Sequence, residues 1–158
     1  MLTVRLVCVG KLKEAYLRDA QAEYVKRLGA FCKAEICELP EYRLPDAPSA
    51  AQIEKGLEEE GQRILRKAGG VLIPMCIEGQ ALSSPAFSKK LAQFALSGES
   101  TISFAIGGSF GLSDAVKAHG ALKLSMSPMT FPHQLARVML LEQIYRAFQI
   151  SSGGKYHK

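Results

Sequence analysis

Three stretches of this 158-residue chain hold residue types that do chemistry: IGGSFG at 106–111, SMSPMTFPH at 125–133 and KYHK at 155–158. At Gly107, Gly108 and Gly111 the missing side chains let backbone N–H and C=O groups approach a flat or charged ligand. A strand-to-helix turn at positive φ explains one glycine, and three so close together go further. No Lys-Ser or Lys-Thr pair follows them, which removes a P-loop. A dinucleotide fingerprint would need glycine where Ile106 stands, and an acid about 20 residues on for the ribose hydroxyl. After Asp114 the next acid is Glu142, so a nicotinamide-dependent oxidoreductase is disfavoured.

In the second stretch Ser125, Ser127 and Thr130 interleave with Met126, Pro128 and Met129, then Phe131 leads to Pro132 at a helix start. Backbone hydrogen bonds in an apolar surround suit an adenine ring better than a phosphate. His133 and Arg137, four apart, share a helical face near the positive end of that helix and can meet an anion or a nucleobase edge. By itself such a pair is as readily solvated or bonded to local carbonyls. In the tail, Tyr156 stands between Lys155 and His157, with Lys158 after it. A stacking ring with positive charge is how single-stranded RNA bases are held, although last residues commonly fray.

These stretches need elements to position them. TVRLVCV (3–9) reads as a strand, followed by a helix over 12–28 with Tyr16, Ala20, Tyr24 and Leu28 on one stripe. Further strands are expected over 34–39, 71–77, 101–106 and 121–126, and further helices over 49–67, 84–96, 112–118 and 132–150. Pro74 should restrict its strand to one neighbour or introduce a bulge. Strands alternating with helices predict an α/β fold, a mostly parallel sheet with helices on both faces, in one domain spanning 1–158. Ligands then sit beyond the carboxyl ends of the strands, on the loops after Ile77, Ile106 and Met126. Val138, Met139, Leu140 and Leu141 make the last helix apolar all round, so both its sides need cover. A second copy packed against Leu140 and Leu141 is the economical source, and a central buried helix is the alternative.

A hydrophobic share of 47% and a charged share of 22% belong to an ordinary globular chain, and the net charge of +5 favours an anionic partner. No apolar run approaches the length of a membrane helix, and the N-terminus reads as a strand rather than a signal peptide. The four cysteines (Cys8, Cys32, Cys37, Cys76) form no C-x-x-C pair and lie far from the three histidines, so no metal site is expected. Packed free thiols in a cytoplasmic chain are the plainer reading than a Cys32–Cys37 disulfide.

IGGSFGLS at 106–113, the run from Ser125 to Ala147 and the ending Tyr156-His157-Lys158 together resemble the RlmH family of SPOUT methyltransferases, with the rest of the chain agreeing in length and element order. The resemblance implies a C-terminal trefoil knot and a homodimer. It implies S-adenosyl-L-methionine as methyl donor and N3 of a pseudouridine in large-subunit (23S) ribosomal RNA, on the assembled ribosome, as acceptor. Carried over by motif, the cofactor lies against Gly107 and Gly108, against the loop Ser127, Pro128, Met129, Thr130, Phe131 and Pro132, and against Met75 and Cys76. His133, Arg137, Tyr156, His157 and Lys158 are the residues assigned to the RNA and the reaction. One departure stands out: a Leu-Asp pair is expected where Met75-Cys76 stands, so backbone contacts or Glu78 must replace that carboxylate. The alternatives are a SPOUT methyltransferase acting on another RNA such as tRNA, and a non-catalytic RNA-binding module.

Overall fold

Along β1 (Thr3–Val9) the side chains alternate between two buried faces. Val4, Leu6 and Cys8 enter one apolar cluster, Val7 and Val9 another. That is the pattern of a strand whose two faces are both covered. In the computed structural model, which describes residues 1–157, there follow α1 (Ala15–Leu28), β2 (Lys33–Leu39), α2 (Ala50–Lys67), β3 (Val71–Ala81) and α3 (Ser84–Leu96). The chain then forms β4 (Thr101–Ile106), α4 (Asp114–His119), β5 (Leu124–Ser125) and α5 (His133–Ser151). The five strands lie in the order β2-β1-β4-β3-β5, and each ladder between them is parallel. Leu28 of α1, Phe87 and Leu91 of α3, and Leu140, Leu141 and Ile144 of α5 cover one face. Ile64 of α2 and Val116 of α4 cover the other.

Local chemistry sets the helix ends. Ser49 and Gln52 form a reciprocal capping box at the start of α2. Ser83 caps α3, its hydroxyl accepting the Ala86 N–H at 3.2 Å, with Pro85 in the first turn. α1 begins three residues later than expected because Arg18 donates to the carbonyls of Leu12 and Lys13 and holds them outside the helix. Its buried edge accordingly runs through Leu17 and Leu28, and Tyr16 is exposed.

The sheet forks at Pro74. β3 pairs with β4 over Val71–Pro74, and its pairing with β5 starts at Met75, with a register shift before Gln80. Proline has no N–H to extend a ladder, yet β3 keeps two neighbours, each over its own half, and the irregularity falls between Met75 and Gln80 rather than at Pro74 itself. β5 is two residues where six were expected. Residues 121–123 touch β3 through single bonds only, from Ala121 N–H to the Leu72 carbonyl (2.9 Å) and from Gln80 N–H to that of Lys123 (2.8 Å).

The side of α5 carrying Leu140, Leu141 and Ile144 is covered within the chain, while Val138 and Met139 are half-buried. The helix lies between α1 and α3 and packs on both, with Leu140 and Leu141 fully buried. The expectation that these two leucines form a subunit contact is therefore corrected: the sheet and flanking helices already enclose them. Leu141→Glu puts an unpaired charge in this core, a cost large against a typical stability of about 5–15 kcal/mol. Loss of the cooperative thermal transition is the expected result, and a folded monomeric variant would return Leu141 to an interface. All four cysteines are free thiols, so Cys32 and Cys37 are not joined. Burial pushes Cys8 up to about 12 and Cys32 up to about 11. Among the described residues no helix is long and apolar enough to cross a membrane.

Candidate functional site

The loops after β4 and β5 and the second half of β3 enclose a cavity of about 740 Å³; β3 runs on to Ala81, so the segment expected as a loop after Ile77 is strand. This is where a parallel sheet of this kind binds ligands, and the volume suits a nucleoside-sized one. The loop after β4 contributes Gly107, Gly108 and Phe110. A Cβ on Gly107 would overlap the Gly111 carbonyl, so the turn closes only with glycine there. Gly111 has φ +81°, and its N–H donates to the Gly108 carbonyl at 3.1 Å. Gly107 thus serves the turn itself, and half-buried Gly108 gives its open side to the cavity.

The loop after β5 is shaped by its own hydroxyls. Ser125 donates to the Ser127 carbonyl at 3.2 Å, and the Ser127 hydroxyl accepts the Met129 N–H at 3.0 Å. Ser127, Met129, Thr130, Phe131, Pro132 and His133 reach the cavity wall, whereas Pro128 is exposed beside it. Pro132 starts α5 without any side-chain cap, so the positive end of a 19-residue helix stands at the wall.

Met75 and Cys76 form the third side with Glu78 and Lys117. Burial, reinforced by the Glu78 charge, pushes the Cys76 thiol up, so it is a neutral wall group. Glu78 and Lys117 meet at 2.5 Å. The hydrogen bond from Lys117 holds the Glu78 carboxyl below its usual range, and that bond raises Lys117 in turn. The carboxylate absent from Met75-Cys76 is thus present two residues on, in the same wall. Lys117 carried no sequence signal, since only the fold brings α4 against this part of β3.

Arg137 is not in this wall. Its side chain is 2% exposed and donates to Glu38 (2.6 Å), the Gly10 carbonyl (3.1 Å) and Gln21 (3.2 Å). The reading of Arg137 as an RNA contact beside His133 is corrected accordingly: it ties α5 to α1 and to the ends of β1 and β2. Tyr156 and His157 also lie outside the wall. Tyr156 donates to Glu142 (2.8 Å) and packs edge-on against Tyr145, and Arg146 lies over its ring and within 3.0 Å of His157 Nδ1. Glu142 pushes the Tyr156 phenol above its usual range. Lys158 lies outside the described residues. Among the described residues no cluster of His, Cys, Asp or Glu could hold a metal.

The family described as "Predicted SPOUT methyltransferase" matches residues 2–157. A protein of Streptococcus thermophilus named "Ribosomal RNA large subunit methyltransferase H" is 50% identical over 99% of this chain and all of its own length. One of the same name from Leuconostoc citreum is 46% identical over the same shares. Among solved structures, a probable methylase family protein from Haemophilus influenzae aligns with a TM-score of 0.55 at 12% identity, over 98% of this chain and 70% of its own, which speaks to the fold alone. Matched along almost its whole length, with full-length relatives at this identity, the chain belongs to the SPOUT methyltransferase family.

Proposed function

We propose that this chain methylates N3 of a pseudouridine in large-subunit ribosomal RNA on the assembled ribosome, with S-adenosylmethionine as donor. It acts as a homodimer of single-domain, C-terminally knotted chains in the cytoplasm. The observation that carries the reading is the cavity lined by two of the family motifs, the glycine turn and the loop into α5, in a chain whose full-length relatives bear the ribosomal RNA methyltransferase name. When bound, the donor supplies a methyl group activated by a sulfonium. The residues present fit it: Gly108 and the 127–132 loop offer backbone to an adenine-like ring in an apolar surround. Glu78, kept ionised by Lys117, offers a carboxylate to positive charge.

Displacement at a sulfonium asks the protein chiefly for positioning. The base must also lose its N3 proton. His133 and the uncapped positive end of α5 stand at the wall to orient the base and favour its developing negative charge. Arg137 acts from behind by holding α5. The tail residues Tyr156 and His157, away from their own chain's cavity, would serve the cavity of a second copy.

The test gives tritiated S-adenosylmethionine to the protein with ribosomes from a strain lacking the corresponding enzyme. Label in the large-subunit RNA, recovered after digestion as a methylated pseudouridine, is the expected result. Label confined to tRNA would overturn the substrate, and no donor binding at hundreds of micromolar would leave a non-catalytic RNA binder.

A further inference from the structure

A second cavity, of about 380 Å³, adjoins the first across the glycine turn. Gly108, Ser109 and Phe110 belong to both walls. Its other sides come from the loop after β2, through Tyr42 and Arg43, and from the first half of α2, through Ile53 and Leu57. It therefore opens at the same carboxyl-end edge of the sheet, and its volume lies within the range of small-ligand sites.

Its walls are built rather than incidental. The Tyr42 N–H donates to Glu60 at 2.8 Å, and Arg63 donates to the Pro40 carbonyl at 2.9 Å, so α2 holds the loop in place. The rim carries three exposed groups without a partner among the described residues, Phe110, Arg43 and the carboxylate of Glu41. Phe110 is 51% exposed at the tip of a turn whose conformation requires glycine at 107 and 111. Arg43 is exposed and makes no ion pair or hydrogen bond among the described residues. An open aromatic face and a free guanidinium beside a cavity of mixed polarity are what unpaired nucleotides use, the ring stacking on the base and the cation meeting the phosphate. A free nucleotide is the poorer occupant, because the cavity adjoins the one where the RNA must present its base.

We propose that this cavity holds an unpaired nucleotide of the substrate RNA next to the one methylated, its base stacked on Phe110 and its phosphate on Arg43. The proposal rests on the RNA methyltransferase reading above. Arg43 lines this cavity and not the first, so its effect belongs to RNA recognition and not to donor binding, which gives the test. Methylation of ribosomes by the full chain is followed to obtain KM for ribosomes, with donor affinity measured separately by calorimetry. Arg43→Ala and Phe110→Ala are each expected to raise that KM roughly tenfold, the effect of removing one stacking or phosphate interaction. Phe110→Tyr, which keeps a stacking face, restores it, and Arg43→Ala leaves donor affinity as in the wild type. Wild-type KM in both alanine variants overturns the proposal while the enzyme reading stands. A wild type that binds donor but labels no ribosomal RNA overturns the substrate reading and this subsite with it.

Discussion

Arg137→Ala is expected to lower the melting temperature by roughly 6–12 °C, the effect of about 3 kcal/mol in a domain of this size. The guanidinium is almost fully enclosed and its three bonds reach three different elements, so alanine leaves a void and strands the Gly10 carbonyl. The loss stays at the low end for a broken buried pair because Glu38 is 31% exposed and can regain water. Arg137→Lys keeps the charge without the planar fork and should recover only part of the loss. Differential scanning calorimetry of the three proteins decides it. A shift under roughly 2 °C for alanine would mean that the pair does not hold α5.

Gly107→Ala is expected to weaken S-adenosylmethionine binding by roughly tenfold or more, the equivalent of about 1.4 kcal/mol. The new methyl would overlap the Gly111 carbonyl oxygen and carbon, both backbone, so the turn must open. Its neighbour provides the control. A Cβ on Gly108 meets Val9 at an ordinary 3.4 Å, so Gly108→Ala should keep the wild-type melting temperature, while Gly107→Ala loses some of it to overpacking. Calorimetric titration and thermal melts of both variants test the pair. Wild-type donor affinity in Gly107→Ala would remove the turn's shape from the account of the site.

Much of this was readable in the residues. Strand and helix alternation follows from hydrophobic period, and the cap serines and prolines mark helix starts within a residue or two. The glycine turn and the polar–apolar loop before α5 point at the strand ends where the cavity lies. What escaped depends on contacts between residues distant in sequence. An arginine four residues from a histidine on an apolar helix looks like a surface partner, until β2 delivers Glu38 and β1 a bare carbonyl to bury it. Leu140 and Leu141 look like an interface until α1 and α3 are known to flank α5. Lys117 became part of the site only through the crossover that brings α4 against the second half of β3. The second cavity had no motif, because its wall joins the loop after β2 to a turn more than sixty residues away.

The fork at Pro74 has a consequence for which parts of this site side chains can alter. Because β3 leaves one neighbour and takes up another there, the gap between β4 and β5 is a property of main chain, and it persists whatever side chains follow. Positions 75 and 76 follow directly: Met75 packs against the core and Cys76 lines the cavity, so side chains there alter its surface while the fork sets its outline.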